Sequence, residues 1–588
     1  MEALQEKDYD GNSKNNKNNN NNDESKKKNI CKNNSAGVGG VAGDVGRLDV
    51  AALPLHAKAV DPLLLDQIPL LPVRDVSLQA KWRHVSRWLS DVSLYDRPEI
   101  RRGARGAPVA KLSADDVALL VDRGKVREVP AEAVKGHVIP FTVAEIAKGR
   151  RRCITHTKDV NVCYDKTSLV GVPIATKRDV LAVVSKGTHF AAVDFKAWFD
   201  QFPLAPEVGE FQCFLKRRRY YARQCLAMGQ RQAVDVAGTL TQILVDFPER
   251  RCEIDLQCID NVLFVGSEED VLHDLLIFIE RCRRVGAQLN EVEPHATRED
   301  VARLVSVEGE WCGVHINMAA RSTRLTQKSL DKTEYSWARR ASWTYRQFAG
   351  HVGLLFWPVG IIDLPLADFF PFMRFVSETS RRLQAEEIDW DGPCVVWPSA
   401  RPALERWTRL VLNNRDKQQL NRSGDPDWLV MTDASHFGWG YVALSPSSGE
   451  VRLHGERWNW QTRRLFDRQI GRWSLRSSVF AEPKAIVHAL CHLITPNPER
   501  VIRVRLASDN TPSVATFNRG YNHHSPHLNW CVQSLQQHFG GMVVFDEVVH
   551  VPGAQNLADG LSRGGAVEET LQRHSSGEIG DGLRRFFG

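Results

Sequence analysis

The spacing of apolar positions changes along the chain, and each change predicts a different kind of structure. Between about residues 50 and 135 the apolar patches are short and broken by proline and charge, with a helix-like stretch around Trp82 to Leu94. From about 136 to 320 strand-like and helix-like runs mix. Phe190 to Val193 is a short continuous apolar run, and Ile254 to Val265 reads as two apolar strands about a Cys258-Ile259-Asp260-Asn261 turn. Residues 322–415 are mostly helical in period and rich in Trp and Arg. A Ser-Gly-Asp-Pro turn at 423–426 then punctuates the chain. After it the pattern predicts three strands, a helix, a strand, helices, a strand and a final helix. Ile486, Ala489, Leu490 and Leu493 recur at helical spacing, and Val501 to Ala507 alternates as a strand does. No internal repeat is visible.

The first 45 or so residues differ in kind. They are rich in Asn, Lys and Gly and include the triplet Lys26-Lys27-Lys28. Such a segment cannot bury enough apolar surface to offset chain entropy, so 1–48 is expected to be a disordered tail. The next expected divisions are an N-terminal extension at 49–135, then 136–320, 321–424 and 425–566, with a C-terminal tail at 567–588. A length of 588 residues fits several domains of roughly 100–200 residues each.

Composition narrows the class. Apolar residues make up 43% and charged residues 25%, a globular balance. The longest uncharged apolar run, Val352 to Ile362, falls far short of the roughly 20 residues of a spanning helix. There is no apolar signal core at the N-terminus. Twelve Cys without a C-x-x-C pair read as buried thiols in a reducing compartment. A soluble protein of the nucleus or cytoplasm, away from membranes, is expected. The net charge of +6 is mild, but the basic residues cluster, and local clusters govern attraction to an anionic partner.

Candidate chemistry lies at the ends of predicted strands. The Phe190–Val193 run delivers Asp194, with Phe199 five residues later, and Asp260 sits at the tip of the predicted 254–265 hairpin. Two-metal nucleotidyl transfer needs carboxylates that hold two ions about 3.5–4 Å apart, and a strand end is a rigid place for one. An aromatic nearby can close the space of a ribose 2′-hydroxyl. Taken singly, each residue fits a bland reading as well: a solvated Asp at a strand end, or a plain Asp-Asn turn.

Taken together, these stretches resemble reverse transcriptases. Asp194 to Leu204 is similar to motif A, Cys258-Ile259-Asp260-Asn261 to the Tyr-x-Asp-Asp box, and Leu226-Ala227-Met228-Gly229-Gln230 to motif B. Arg150 to Ile154 with Lys158-Asp159-Val160-Asn161 resembles the fingers motif. Gly286 to Asn290 looks like motif D, and Trp311-Cys312-Gly313 like the primer grip. The resemblance implies that Asp194 and Asp260, with Asn261, ligate Mg²⁺ or Mn²⁺, two ions per active site. It implies that Lys148, Arg150 and Arg152 neutralise the triphosphate. Phe199 becomes the sugar gate, and Met228 and Gly229 the nucleotide contacts, with Gly229 allowing close backbone approach. Lys158, the run Lys216-Arg217-Arg218-Arg219, Trp311 and Gly313 become candidates for nucleic-acid contact. For the basic run, a solvated hairpin tip remains the alternative. Tyr345 to Pro358 reads as thumb packing, with Arg339, Arg340 and Arg346 flanking it. The sequence departs from the pattern at Asn261, which replaces the second Asp of the box, and at Cys258, which replaces its Tyr; motif B lacks its Pro and carries Arg231, and the segment after Asn290 lacks the expected Lys and has Glu291 and Glu293 instead. A neutral Asn261 lowers expected metal affinity.

The C-terminal third carries a second constellation. Trp428 to Ala434 is an apolar strand ending in Asp433. Glu482 heads a helix, where an acid suits the positive end. Val501 to Ala507 delivers Asp509, and Val549-His550-Val551-Pro552-Gly553-Ala554-Gln555-Asn556-Leu557-Ala558-Asp559 places Asp559 at a helix entry. Four carboxylates on separate elements suit a cage for two divalent ions. The set resembles ribonuclease H, and its last string resembles the versions in gypsy-like and DIRS-like retroelements. Ala554-Gln555 occupies the slot of the loop histidine that some relatives carry. His523, His524 and His527 are read as touching nucleic acid or solvent.

The resemblance therefore implies an α+β multidomain chain. It would comprise a right-hand polymerase with fingers, a ferredoxin-like palm and a helical thumb, then an α/β ribonuclease H-like domain. The expected function is RNA-directed DNA synthesis from deoxynucleoside triphosphates on an RNA or DNA template-primer, with cleavage of RNA in RNA–DNA hybrids. The motif spelling is nearest to tyrosine-recombinase retroelements of the DIRS and VIPER type. Two alternatives stand beside it: a polymerase-impaired remnant that keeps the nuclease, and a non-enzymatic nucleic-acid-binding remnant.

Overall fold

The computed structural model describes residues 52–587 except 102–103, 146–147, 165–169, 173, 176–178, 180–182, 185, 363, 414–416, 419–424, 460–477, 496–500 and 541. The Asn/Lys-rich tail and the Ser423-Gly424 half of the expected turn lie outside these residues. The chain divides into two units, 1–53, of which only Ala52 and Leu53 are described, and 54–588. The second unit holds the sheets and helices of the fold.

Among the described residues its first part has nine strands: β1 (Leu55–His56), β2 (Val126–Val129), β3 (Ile139–Glu145), β4 (Arg150–His156), β5 (His189–Asp194), β6 (Cys213–Lys216), β7 (Arg219–Arg223), β8 (Ile254–Cys258) and β9 (Asn261–Gly266). They form three small sheets, ordered β1-β4-β3, β2-β7-β6 and β5-β9-β8. The helix Arg231–Val245 is buried on nearly every face, as its continuous apolar and small residues require. The helix Glu268–Arg284 is capped by Ser267, with acids in its first turn and arginines in its last, matching the helix dipole. Its Leu275, Phe278 and Ile279 are buried, and it packs on β5 and β9. The carboxylate-bearing end of β5 is thus fixed from beside and behind.

The extension at 49–135 is no separate appendage. β1 runs parallel to β4, β2 pairs with β7, and the helix Ser77–Val85 packs on Arg231–Val245. Its short, broken apolar patches are each completed by a partner from later in the chain, which is why no period marked them.

Three more strands, β10 (Glu308–Trp311), β11 (Val314–Asn317) and β12 (Ser322–Leu325), form an antiparallel meander, joined by β13 (Lys417–Gln418). The helices Gln327–Ala338, Tyr345–Phe356, Phe370–Gln384 and Arg401–Asn413 lie between, as the helical period predicts. Trp343, Phe348, Phe369, Phe372, Phe375 and Trp407 form their aromatic core, so the Tyr345–Pro358 stretch serves packing, as its aromatic spacing predicts.

The last part has, among the described residues, five strands: β14 (Trp428–Ala434), β15 (Gly438–Leu444), β16 (Val451–Arg457), β17 (Ile502–Ser508) and β18 (Val543–His550). Their order is β16-β15-β14-β17-β18, antiparallel through β14 and parallel beyond it. Helices intervene in the expected sequence. The expected tail at 567–588 is instead two helices, Val567–Arg573 and Ser576–Phe587. Ile579 and Leu583, one turn apart, are buried with Leu429, Met431, Val442 and Leu444 of β14 and β15. Among the described residues no helix is long and apolar enough to cross a membrane.

Candidate active sites

Asp194 ends β5 directly opposite Asn261, the first residue of β9. Ile259 and Asp260 make the turn from β8. Ile259 has φ +59°, a region a β-branched residue rarely enters. Such strain persists only where the surroundings over-determine it, and it gathers at functional sites. Here Thr241 Oγ1 donates to the Ile259 carbonyl at 2.8 Å, and the N–H of Phe195 donates to the Asp260 carbonyl at 2.8 Å. The turn thereby holds Asp260 beside the end of β5. Asn261 Nδ2 donates to Asp260 Oδ1 at 3.1 Å.

Asn290 Nδ2 donates to Asp194 Oδ2 at 2.6 Å, and Asn290 N–H donates to the Asp194 carbonyl at 2.8 Å. Burial, the Asp260 carboxylate and the Glu291 carboxylate push the Asp194 pKa up to about 6. Burial also raises Asp260. Both acids are therefore poor carboxylates without a cation and improved by one.

They open on a cavity of about 420 Å³ that also takes in Lys148, Arg150, Arg152, Phe199 and Met228. All the residues expected as nucleotide contacts thus line it, Gly229 excepted. Glu145 Oε atoms sit 2.6 Å from Arg150 Nε, 3.2 Å from Arg152 Nη2 and 3.9 Å from Lys148 Nζ, gathering the three cations on one wall. Gly229 forms the adjoining turn. Its φ of +109° and the Thr155 carbonyl, 2.7 Å from where a Cβ would stand, both demand glycine. Asn161 secures this turn, donating to the Gly229 carbonyl at 3.1 Å and accepting from the Arg231 N–H at 3.0 Å.

The expected nucleic-acid contacts divide. Lys158 is exposed. Arg217 and Arg218 form the exposed two-residue turn between β6 and β7, both with positive φ. Lys216 instead bonds the Leu112 carbonyl, and Arg219 pairs with Glu128 at 3.1 Å. Trp311 must be corrected: it is 2% exposed, because the β10–β11 hairpin folds its ring into the aromatic core. Gly313, at φ +83°, makes the hairpin turn with Cys312. Arg346 is held by Asp391 at 2.8 Å.

In the last part, Asp433 comes from β14, Glu482 from the buried face of helix Ser478–Leu493, and Asp509 from just after β17. One carboxylate oxygen of each lies within 4.8 Å of the others. Glu482 is 2% exposed, and its Oε2 has no hydrogen-bond partner among the described residues. Its Oε1 accepts from the Ala434 N–H at 3.1 Å. Burial and the neighbouring Asp433 and Asp509 push Glu482 up to about 10; burial chiefly lifts Asp433 to about 6 and raises Asp509 as well. A buried oxygen with no donor among three acids suits a cation.

Asp559 does not join the trio at that range. It pairs with Arg563, one turn on, at 2.7 Å. The short helix Asp559–Ser562 nevertheless reaches the site, since Ser562 Oγ donates to Asp433, and Asn556 Nδ2 donates to Asp433 Oδ1 at 3.1 Å. Gly440 and Gly455 make this approach possible: a Cβ at either would stand 2.7 or 2.8 Å from Leu561.

His550 ends β18 with Nε2 3.1 Å from the Asp509 carbonyl. Ala554 and Gln555 lie beyond it, in the one-turn helix Gly553–Gln555. His527 is also corrected. It is buried, stacks on Phe480 at 3.8 Å, and burial holds its pKa down to about 4. His524 alone of that cluster is exposed.

In sequence the chain matches no protein-family model and no curated protein. Solved structures similar to it include the foamy viral protease-reverse transcriptase dRH in complex with double-stranded DNA, at 10% identity, covering 84% of this chain and 83% of that one, TM-score 0.41. The foamy viral enzyme with an RNA/DNA hybrid is 12% identical over 84% and 64%, TM-score 0.39. With double-stranded DNA it is 13% identical over 85% and 99%, TM-score 0.39. At this level the chemistry has to be read from the side chains themselves.

Proposed function

We propose that this chain is a retroelement reverse transcriptase with a C-terminal nuclease of the ribonuclease H type. The observation that carries the reading is the gathering of Asp433, Glu482 and Asp509 around a buried, unpartnered carboxylate oxygen, with Asp194 and Asp260 on a separate cavity faced by cations. Residues 136–320 serve as fingers and palm, 321–424 as thumb and connection, and 425 onward as the nuclease, including its last two helices.

In the polymerase site Asp194 and Asp260, with the Asn261 amide, would hold divalent ions. Lys148, Arg150 and Arg152 receive the triphosphate, exchanging Glu145 for phosphate oxygens. Phe199 excludes a 2′-hydroxyl, and Met228 and Gly229 lie against the new base pair. In the nuclease site Asp433, Glu482 and Asp509 would hold the ions, with Asp559 freed from Arg563 to complete the set. Bound Mg²⁺ or Mn²⁺ pairs supply activation of the attacking oxygen and stabilisation of the leaving one. His550 sits at the rim of the trio, able to exchange a proton with the product phosphate.

A second reading keeps the nuclease and discards the polymerase. Asn261 favours it, being neutral and spending its amide N–H on Asp260. Paired assays on the purified chain decide. The proposal expects primer extension with Mg²⁺ or Mn²⁺ that Asp194→Asn abolishes, and hybrid cleavage that Asp433→Asn abolishes. Cleavage without extension under either ion supports the remnant; neither activity overturns both readings.

A further inference from the structure

The cavity beside Asp194 and Asp260 is lined by six cationic side chains, Lys58, Lys125, Lys148, Arg150, Arg152 and Arg223, against three carboxylates, Asp194, Asp200 and Asp260. Lys125 and Arg223 differ from the rest. Lys125 is 3% and Arg223 6% exposed. They are far apart in the chain and are brought together because Val126 of β2 pairs with Arg223 of β7. Two buried cations share one acid, Asp200, whose Oδ2 is 3.3 Å from Lys125 Nζ. Arg223 Nη2 has only the Cys225 sulfur at 3.6 Å, and its Nε has no hydrogen-bond partner among the described residues. Burial keeps Cys225 a thiol, so it supplies no negative charge. A buried guanidinium with an open N–H is costly unless an anion completes it.

We propose that Lys125 and Arg223 form an anion subsite in the floor of this cavity, next to Phe199, that takes a phosphate group of the incoming nucleoside triphosphate. The proposal rests on the polymerase reading for the identity of the ligand, and on the buried charge excess for the site itself. Glu145 pairs with Lys148, Arg150 and Arg152, and Lys125 pairs with Asp200, so Asp200 is the acid against which this subsite is weighed.

The test is calorimetric titration of the full chain with inorganic tripolyphosphate, with pyrophosphate as a second arm, without divalent ions, alongside primer extension. Lys125→Met and Arg223→Met should each weaken tripolyphosphate binding about tenfold, the loss of one charge-assisted contact. Either variant could disturb folding, so Asp200→Asn is the decisive companion. Removing the competing acid should tighten tripolyphosphate binding and lower the KM for nucleotide with little change in kcat. Weaker or unchanged binding by a folded Asp200→Asn protein would show a structural ion pair and overturn the subsite. Pyrophosphate binding equal to tripolyphosphate would reassign the site to the leaving product and overturn the proposed ligand. Tripolyphosphate binding that tightens in Asp200→Asn without any primer extension would keep the subsite and sink the polymerase reading. Extension indifferent to all three substitutions would do the reverse.

Discussion

The carboxylate of Glu291 accepts the backbone N–H of Asp194 at 2.9 Å, so a further acid stands beside the carboxylates of the proposed polymerase site. Glu291 is among the groups that lift Asp194. Glu291→Gln keeps an oxygen for the N–H and removes the charge. Asp194 should then ionise at lower pH, and the acidic limb of the primer-extension profile should move to lower pH. A limb that stays fixed would show that Glu291 does not act on Asp194 through charge.

The trio Asp433, Glu482 and Asp509 makes a stability prediction. The native pKa values of Asp433 and Glu482 are raised, to about 6 and about 10. Groups raised on folding stabilise the fold below their unfolded pKa and lose that contribution as pH rises through the native value. With chelator present, the melting transition of the C-terminal part should therefore fall progressively from below pH 4 toward pH 10. Glu482→Gln should flatten this dependence and raise the alkaline Tm by roughly 2–4 °C per kcal/mol relieved. Added Mg²⁺ should raise the wild-type Tm and leave the variant less affected.

Asn161 makes two hydrogen bonds to the turn that carries Gly229. Asn161→Ala removes both and leaves an amide and a carbonyl to solvent. The turn should loosen beside Met228, and the KM for nucleotide should rise about tenfold, the equivalent of roughly 1.4 kcal/mol. Steady-state extension kinetics measure it; an unchanged KM with reduced stability would mean that the turn serves folding alone.

Asp194, Asp433 and Asp509 stand at or just beyond strand ends and Asp260 in a hairpin turn, as the sequence reading placed them, whereas Glu482, read as heading a helix, is an interior residue of Ser478–Leu493; the grouping of these acids into two sites came from the family resemblance, since each alone fits a solvated reading as well. What stayed hidden depends on pairing between distant segments. Lys125 and Arg223 meet only through the β2–β7 ladder, and no local pattern announces it. Trp311 was a candidate through the resemblance of Trp311-Cys312-Gly313 to the primer grip, yet the ring belongs to a core completed by helices from later in the chain. Ile579 and Leu583 did carry a helical period, but in a stretch so charged and glycine-rich that it read as a tail; the apolar face of β14 and β15 is what orders it. Asp559 was legible as an acid, while its ion pair with Arg563 comes from a helical turn of only four residues.

The two glycines beneath that turn give the sharpest separation of the two proposed activities. A Cβ at Gly440 would stand 2.7 Å from Leu561 Cβ and 3.0 Å from Ser562 N. Neither atom is at the end of a flexible side chain, so Gly440→Ala must lift the helix Asp559–Ser562 off β15. That displacement withdraws Ser562 Oγ from Asp433 and carries Asp559 farther from the trio. Overpacking of this kind costs roughly 1–3 kcal/mol, and a positioning error of about 1 Å can cost about a hundredfold in rate. Hybrid cleavage by Gly440→Ala should therefore fall by at least about tenfold while primer extension, made by residues of the first part, keeps its wild-type rate. Equal loss of both would mean that the substitution unfolds the chain as a whole. Wild-type cleavage with an unchanged Tm would mean that the helix yields freely and that its place over β15 does not govern the site.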